Sequence, residues 1–210
     1  MTIGLRSAVF ACSLALCPAA ANATIIQVAN PAGMTQGLYS IENFEDSLFV
    51  PGVTFSAPSG VRQLSAWAAS SSSTSSGLYG LSTNNFPEPL TMTFAVPTSS
   101  VGMYFGNDDR CCAEPFTAYL DIFGTAGSLG TISVVANMND FADQFIGFTS
   151  DEVINRVSIR YGSGSNVGLY HFVDDVRFNT ASVPEPSTLF LFGLGLLSLA
   201  AVRRQQSLLR

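Results

Sequence analysis

Leu90-Thr91-Met92-Thr93-Phe94-Ala95-Val96 places large apolar residues at even positions and small or polar ones at odd positions. A period of two marks a strand with one buried face. The same alternation recurs along the chain. Val101, Met103 and Phe105 alternate with Gly102, Tyr104 and Gly106; Ala118, Leu120 and Ile122 with Tyr119, Asp121 and Phe123; Val157, Ile159 and Tyr161 with Ser158, Arg160 and Gly162. Phe172, Asp174, Val176 and Phe178 are expected to share one face of a last strand. Further strands are expected at 25–28, 53–56, 63–68, 129–135 and 144–149. Turn residues separate them, among them Pro51-Gly52, Pro58-Ser59-Gly60, Gly124 to Gly127, Asn137 to Asp140 and Gly162 to Gly164. No stretch shows a 3.6-residue stripe, apart from a helical turn near 139–143. About ten short strands with regular turns predict an all-β chain, a single β-sandwich of jelly-roll type. The Ser/Thr tract Ser70 to Ser76 reads as a surface loop within it.

The chain has 210 residues, a net charge of −6, and 11% charged residues against a usual ~25%. It contains no lysine, and no basic cluster lies in its middle. A nucleic-acid partner is therefore excluded, while the 47% hydrophobic content is ample for a core. Residues 24–182 hold 14 acidic residues and five arginines.

Both ends read as targeting signals. Residues 1–23 have the form of a secretory signal peptide. Arg6 is its positive start, Ala8 to Leu16 its apolar stretch, Pro18 the break, and Ala21-Asn22-Ala23 a small-x-small cleavage site. That predicts handling by the Sec translocon and signal peptidase. A lipoprotein reading would use Cys17, where Leu16 is a poor fit. At the other end, Val183-Pro184-Glu185-Pro186-Ser187-Thr188 precedes 14 uncharged residues, Leu189 to Val202, and then Arg203-Arg204. As a helix the apolar segment is ~21 Å long, against ~30 Å for a comfortable span. A buried core helix competes on length alone. All-round apolarity, Gly193 and Gly195, and the terminal arginines favour one transmembrane helix at 189–202 with a basic tail at 203–210. Positive-inside logic then puts Arg203 and Arg204 in the cytoplasm and residues 24–182 outside.

Motif, apolar helix and basic tail in this order resemble the PEP-CTERM sorting signal of Gram-negative bacteria. The resemblance covers residues 183–204. It implies recognition by exosortase, a membrane transpeptidase-like enzyme, removal of the helix, and association with exopolysaccharide. Pro184 and Pro186 keep the stretch extended and accessible to an enzyme cleft. A transient membrane anchor followed by release to the cell surface or matrix is the expected route.

Between these signals, the phrases Asn43-Phe44-Glu45, Gly52 to Ser56, Val101 to Phe105, Phe145 to Phe148 and Phe172 to Val176 follow one another in order. That order resembles secreted bacterial jelly-roll domains similar to carbohydrate-binding modules. The resemblance implies a structural Ca²⁺ between an early Glu and a late Asp, here Glu45 (or Glu42) and Asp174. From the residues alone, Asp174 is expected to point inward, where a carboxylate needs a cation or several donors. Backbone amides at a loop or bulge, Arg160 or Arg177 would serve as well. The loop Asn107 to Glu114 lacks Asp-x-Asp-x-Asp-Gly spacing and reads as a solvated tip. Cys111 and Cys112, the two cysteines outside the leader, leave a vicinal disulfide, bonds to another chain or free thiols in an oxidising compartment.

His171 is the single histidine. A Ser–His–Asp site would have to use it, and no Gly-x-Ser-x-Gly elbow supplies the serine. Beside Tyr170 and Phe172 it is expected on the sheet surface. Asp108 and Glu114 would have to serve a glycoside hydrolase as its acid and base, and nothing sets their separation. Trp67, Tyr79, Tyr104, Tyr119 and Tyr170 are the candidates to stack on a sugar ring. The reading is a non-catalytic, exported surface or matrix protein with polysaccharide as the candidate ligand. A ligand-free structural component is the alternative.

Overall fold

The computed structural model describes residues 23–34, 39–65, 74–85, 87–107, 116–137, 141–162 and 170–179. These contain ten strands: β1 (Ile25–Val28), β2 (Tyr39–Glu42), β3 (Val53–Ser56), β4 (Val61–Ser65), β5 (Tyr79–Thr83), β6 (Leu90–Asn107), β7 (Thr117–Gly124), β8 (Gly127–Val135), β9 (Gln144–Gly162) and β10 (His171–Asn179). All pairings are antiparallel, and together they form one sheet in the order β4-β5-β10-β6-β9-β7-β8. The all-β expectation holds; of the helical turn expected near 139–143, residues 141–143 form a bend and turn, and 139 and 140 lie outside the described residues.

β6 and β9 hold the sheet together. They pair along nearly their whole length, and the ladder shifts register between Thr93, Thr98 and Ser100. Pro97, which has no N–H to give the ladder, lies inside that shift. Before it, Leu90, Met92 and Phe94 are buried; after it, Val101, Met103 and Phe105 are. The buried parity has changed. β9 changes too, from Ile146, Phe148 and Ile154 to Val157 and Ile159. One half of each long strand therefore belongs to one layer and the other half to a second. The first layer is β3, β6 (90–94), β9 (154–162), β7 and β8. The second is β1, β9 (144–150), β6 (100–107), and β10 with β2 and β5 beyond it.

The layers face each other across one core. Phe94 of the first meets Phe178 of the second with ring centroids 5.3 Å apart. Phe105 of the second meets Phe116 and Tyr161 at 6.5 and 6.1 Å. The sheet is thus folded over on itself, which is the sandwich the alternation called for.

A smaller core covers the outer face of the second layer, where Phe145 packs with Val28 and Met34. Its ring lies on Gly102 and Gly147, which pair across β6 and β9. A Cβ at Gly147 would stand 2.7 Å from that ring. The two glycines are there because the ring occupies the space of a side chain.

β10 departs from the expected parity. Val173, Val176 and Phe178 enter the main core, whereas Phe172 packs separately with Ala142 and Leu64. The cause is a bulge between Asp174 and Arg177, with Asp175 at φ 46°. An extra residue moves the following side chains to the other face. Asp174 is buried, on the face away from the main core.

Candidate functional site

Carboxylates hold the loops of the described chain. Glu42 is buried and accepts the N–H of Phe44 at 2.7 Å and of Val50 at 2.6 Å, which fixes Phe44 at φ 58°. Asp46 accepts from Leu48 N, Glu88 from Ser59 N, and Asp151 from Thr24 N. With no lysine to pair with, these acids are satisfied by backbone donors.

The densest such arrangement surrounds residues 75–79. Glu45 Oε1 accepts the N–H of Leu78 at 2.7 Å and of Tyr79 at 2.8 Å. Gly77, at φ +56°, lies so close that a Cβ there would overlap the Glu45 carboxylate. From the β10 side, Asp174 Oδ2 accepts from Ser75 Oγ at 2.9 Å and Ser76 N at 3.0 Å, and its Oδ1 from Asp175 N at 2.7 Å. Asp175 accepts from Ser75 Oγ and Ser76 Oγ, and its carboxylate is 3.6 Å from Arg177. Burial pushes the Asp174 carboxyl up to about 6; its hydrogen bonds pull the other way, and neighbouring Asp175 adds to the rise.

Glu45 and Asp174, the expected metal pair, thus grip the same short segment. Asp174 is held by N–H and O–H donors at a bulge, and Glu45 Oε1 is committed to two amides. Among the described residues no group of three or more His, Cys, Asp or Glu converges as metal ligands. This donor set does not fit a Ca²⁺ site, which wants six to eight oxygens around the ion. Gly77 and the two serines, Ser75 and Ser76, are what sequence reasoning missed. The serines sit in the tract Ser70 to Ser76, read only as loop, and Gly77 follows it directly; polar composition does not reveal which hydroxyl meets which carboxylate.

His171 is not on the surface. It is buried at the start of β10, its ring 4.4 Å from Tyr161, and neither ring nitrogen has a hydrogen-bond partner among the described residues. Burial alone lowers its pKa to about 4. Contact with Tyr161 across the sheet, rather than the polarity of its chain neighbours, decides its place.

The tyrosines divide. Tyr104 packs edge-on to Phe145 at 5.4 Å. Arg62 stands over Tyr170 at 5.1 Å and Arg160 over Tyr119 at 4.4 Å. Tyr79 is exposed, beside a recess of about 260 Å³ formed with Phe44, Glu45, Asp46 and Gln63. A larger cleft, about 580 Å³, opens between Thr93, Phe123, the β7–β8 turn, Asn155 and Arg156. The outer face of the first layer carries Thr54, Thr91, Thr93, Tyr119, Asp121, Thr131, Arg156, Ser158 and Arg160, a polar surface with hydroxyls and planar groups.

Trp67, Asp108, Cys111, Cys112, Glu114, the leader before Ala23 and everything from residue 180 onward lie outside the described residues. The expected span at 189–202 is among them. No helix among the described residues is long and apolar enough to cross a membrane.

Comparison with known proteins bears on the chain's end. Among solved structures the chain is similar to the K2 cleaved adhesin domain of Lys-gingipain, at 13% identity over 68% of this chain and 98% of that one, with a TM-score of 0.48. It is also similar to the Agl-KA catalytic domain, at 13% identity over 71% of this chain and 29% of that one, TM-score 0.40. A third likeness is to the CBM36-1 domain of a multidomain xylanase from the hindgut metagenome of Trinervitermes trinervoides, at 14% identity over 77% and 100%, TM-score 0.25. No curated protein matches the chain. Residues 182–205 match the PEP-CTERM protein-sorting motif, so the chain carries the bacterial signal processed by exosortase, and the protein is exported and directed to the surface.

Proposed function

We propose that this is a non-catalytic surface or matrix protein of a Gram-negative bacterium that binds polysaccharide. In this reading residues 1–23 are a signal peptide used by the Sec translocon and signal peptidase. Residues 24–182 form the exported domain. The helix at 189–202 holds the chain in the membrane until exosortase acts at the Pro184-Glu185-Pro186 motif. The sorting motif carries the surface address.

The binding role is supported by the outer face of the first layer. A broad, ligand-sized cleft opens on it, and hydroxyls and stacked Arg–aromatic pairs line the strands around it. The non-catalytic reading is supported by His171, a sealed neutral imidazole hydrogen-bonded to no serine or carboxylate among the described residues. The test is retention of the full-length chain, in mild detergent, on insoluble polysaccharides and on a glycan array. Selective retention on at least one polysaccharide is expected. Retention on none favours the ligand-free structural component.

A further inference from the structure

The cleft between Thr93, Phe123, the β7–β8 turn, Asn155 and Arg156 has a particular construction. The β6–β9 ladder pairs Thr93 with Arg156 and resumes at Thr98 with Ile154; the β7–β9 ladder pairs Phe123 with Arg156 and resumes at Gly124 with Ile154. Both ladders skip Asn155. A residue bypassed on both sides is a bulge, a device that re-aims side chains. Its neighbour Arg156 stands in one cross-strand row between Thr93 and Phe123, with the guanidinium carbon 4.1 Å from the Phe123 ring centroid. Thr125, in the β7–β8 turn, completes the rim.

Arg160, four residues on, makes an instructive contrast. It too lies over an aromatic ring, Tyr119, at 4.4 Å, but its Nε also donates to Asp121 Oδ2 at 2.7 Å. Partial burial raises the Asp121 carboxyl, yet the bonds from Arg160 and Thr131 outweigh it and hold the group below its ordinary value. Arg160 is neutralised from within the protein. Arg156 has no carboxylate partner among the described residues, in a chain with six more acidic than basic groups. The side-chain amide of Asn155 likewise has no hydrogen bond to a described residue. An aromatic ring therefore steadies an exposed, uncompensated guanidinium at the wall of a cleft about 580 Å³ in volume, a size suited to a small ligand.

We propose that this cleft is a subsite for an acidic sugar, a hexuronate within a polysaccharide. A guanidinium presents paired N–H donors that match a carboxylate. Asn155, Thr93 and Thr125 offer an amide and two hydroxyls for ring hydroxyls. A carboxylate fits the charge better than a phosphate monoester, since one cation in a strongly acidic protein balances one negative charge.

The inference rests on the polysaccharide reading and deepens it. The test is titration calorimetry of the full-length chain with oligogalacturonate, oligoglucuronate and oligomannuronate. Each is run beside its methyl ester, which keeps the sugar and removes the charge. At least one free acid is expected to bind at low salt, more weakly at high salt, and its ester at least tenfold more weakly. Arg156→Gln is expected to weaken the acid by about tenfold or more and leave the ester unchanged. Because Arg156 is exposed, its variant should melt with the parent. Arg160→Gln, which removes a guanidinium already paired, should cost less. Equal binding of acid and ester, or equal losses from the two arginines, overturns the acidic subsite and leaves the polysaccharide reading standing. Binding to neutral polysaccharide but to no uronate does the same. Binding to no glycan at all overturns both.

Discussion

Asp174 and His171 are buried groups whose protonation pulls stability in opposite directions. The His171 pKa falls from its ordinary 6.5 to about 4 in the folded chain. As pH drops below 6.5 the unfolded chain takes a proton that the folded chain refuses, so stability is lost. Asp174 is the reverse, raised from 3.8 to about 6. As pH drops below 6 the folded chain takes a proton that the unfolded chain does not, so stability is gained. Each effect, fully developed, is on the order of 3 kcal/mol. Between pH 6.5 and 4.5 they largely cancel. Urea melts across that window should show a parent of nearly constant stability. Asp174→Asn should lose stability with acid, and His171→Phe should gain it. Two variants with the parent's flat profile would mean that neither group titrates as burial dictates. His171→Phe should also melt no lower than the parent at pH 7, because it removes two buried nitrogens that no partner satisfies.

At the scale of elements, the decisive feature of β10 is its bulge. Asp175 is held at φ 46°, where a non-glycine side chain is uncommon and a β-branched one is strained. Its carboxylate also takes hydroxyl bonds from Ser75 and Ser76. Asp175→Val should cost about 1–3 kcal/mol in chemical denaturation, and more if the serine bonds count. Asp175→Asn, which tolerates the left-handed region, should cost less than half as much. A valine variant as stable as the parent would show that the bulge relaxes freely. The same bulge explains what the sequence could and could not disclose. Alternation located β3, β6, β7 and the end of β9, since each buries every second residue on one face. It could not show that 90–96 and 101–106 are one strand, because Pro97 and a parity change read as a break. β2 and β5 went unread although Tyr39-Ser40-Ile41-Glu42 alternates, and the fold buries both against their pattern: Glu42 is buried and Ile41 exposed, and Gly80 to Thr83 are all buried. The candidate site was legible only as residues. Asp174 was correctly expected to be buried, but Phe172, Asp174, Val176 and Phe178 were read as one face, and a bulge has no signature in a string of side chains. Arg156 and Asn155 gave no signal at all, since what distinguishes them is two ladders skipping one residue.

At the scale of the whole molecule, the two ends of the described chain leave from the same end of the second layer. Through successive antiparallel pairings, the start of β1 (Ile26 opposite Thr149), Ser100 of β6 and the end of β10 (Asn179, bound to Ser99) share one edge. Three strand spacings, ~14 Å, separate them. The signals expected before Thr24 and after Ser182 would therefore tether one side of the domain to the membrane and leave the rest free. β1 begins two residues after the expected cleavage site, and its approach is already fixed: Thr24 N lies 2.7 Å from Asp151 Oδ1. That bond lowers the Asp151 carboxyl below its ordinary value. Cleavage after Ala23 would turn this amide into an α-ammonium group, and the hydrogen bond into an exposed ion pair. Intact-mass analysis of protein from its native host should find Thr24 as the first residue and the apolar tail lost at or near Pro184-Glu185-Pro186. A species that keeps both Met1 and Arg210 would contradict it. In the cleaved protein, Asp151→Asn should lower the melting temperature slightly at low salt and less at high salt, because the pair is exposed and screened. In the uncleaved chain, where the partner is a neutral amide, salt should make little difference. An Asp151→Asn effect with the same salt dependence before and after cleavage would show that the new terminus does not dock where the strand begins.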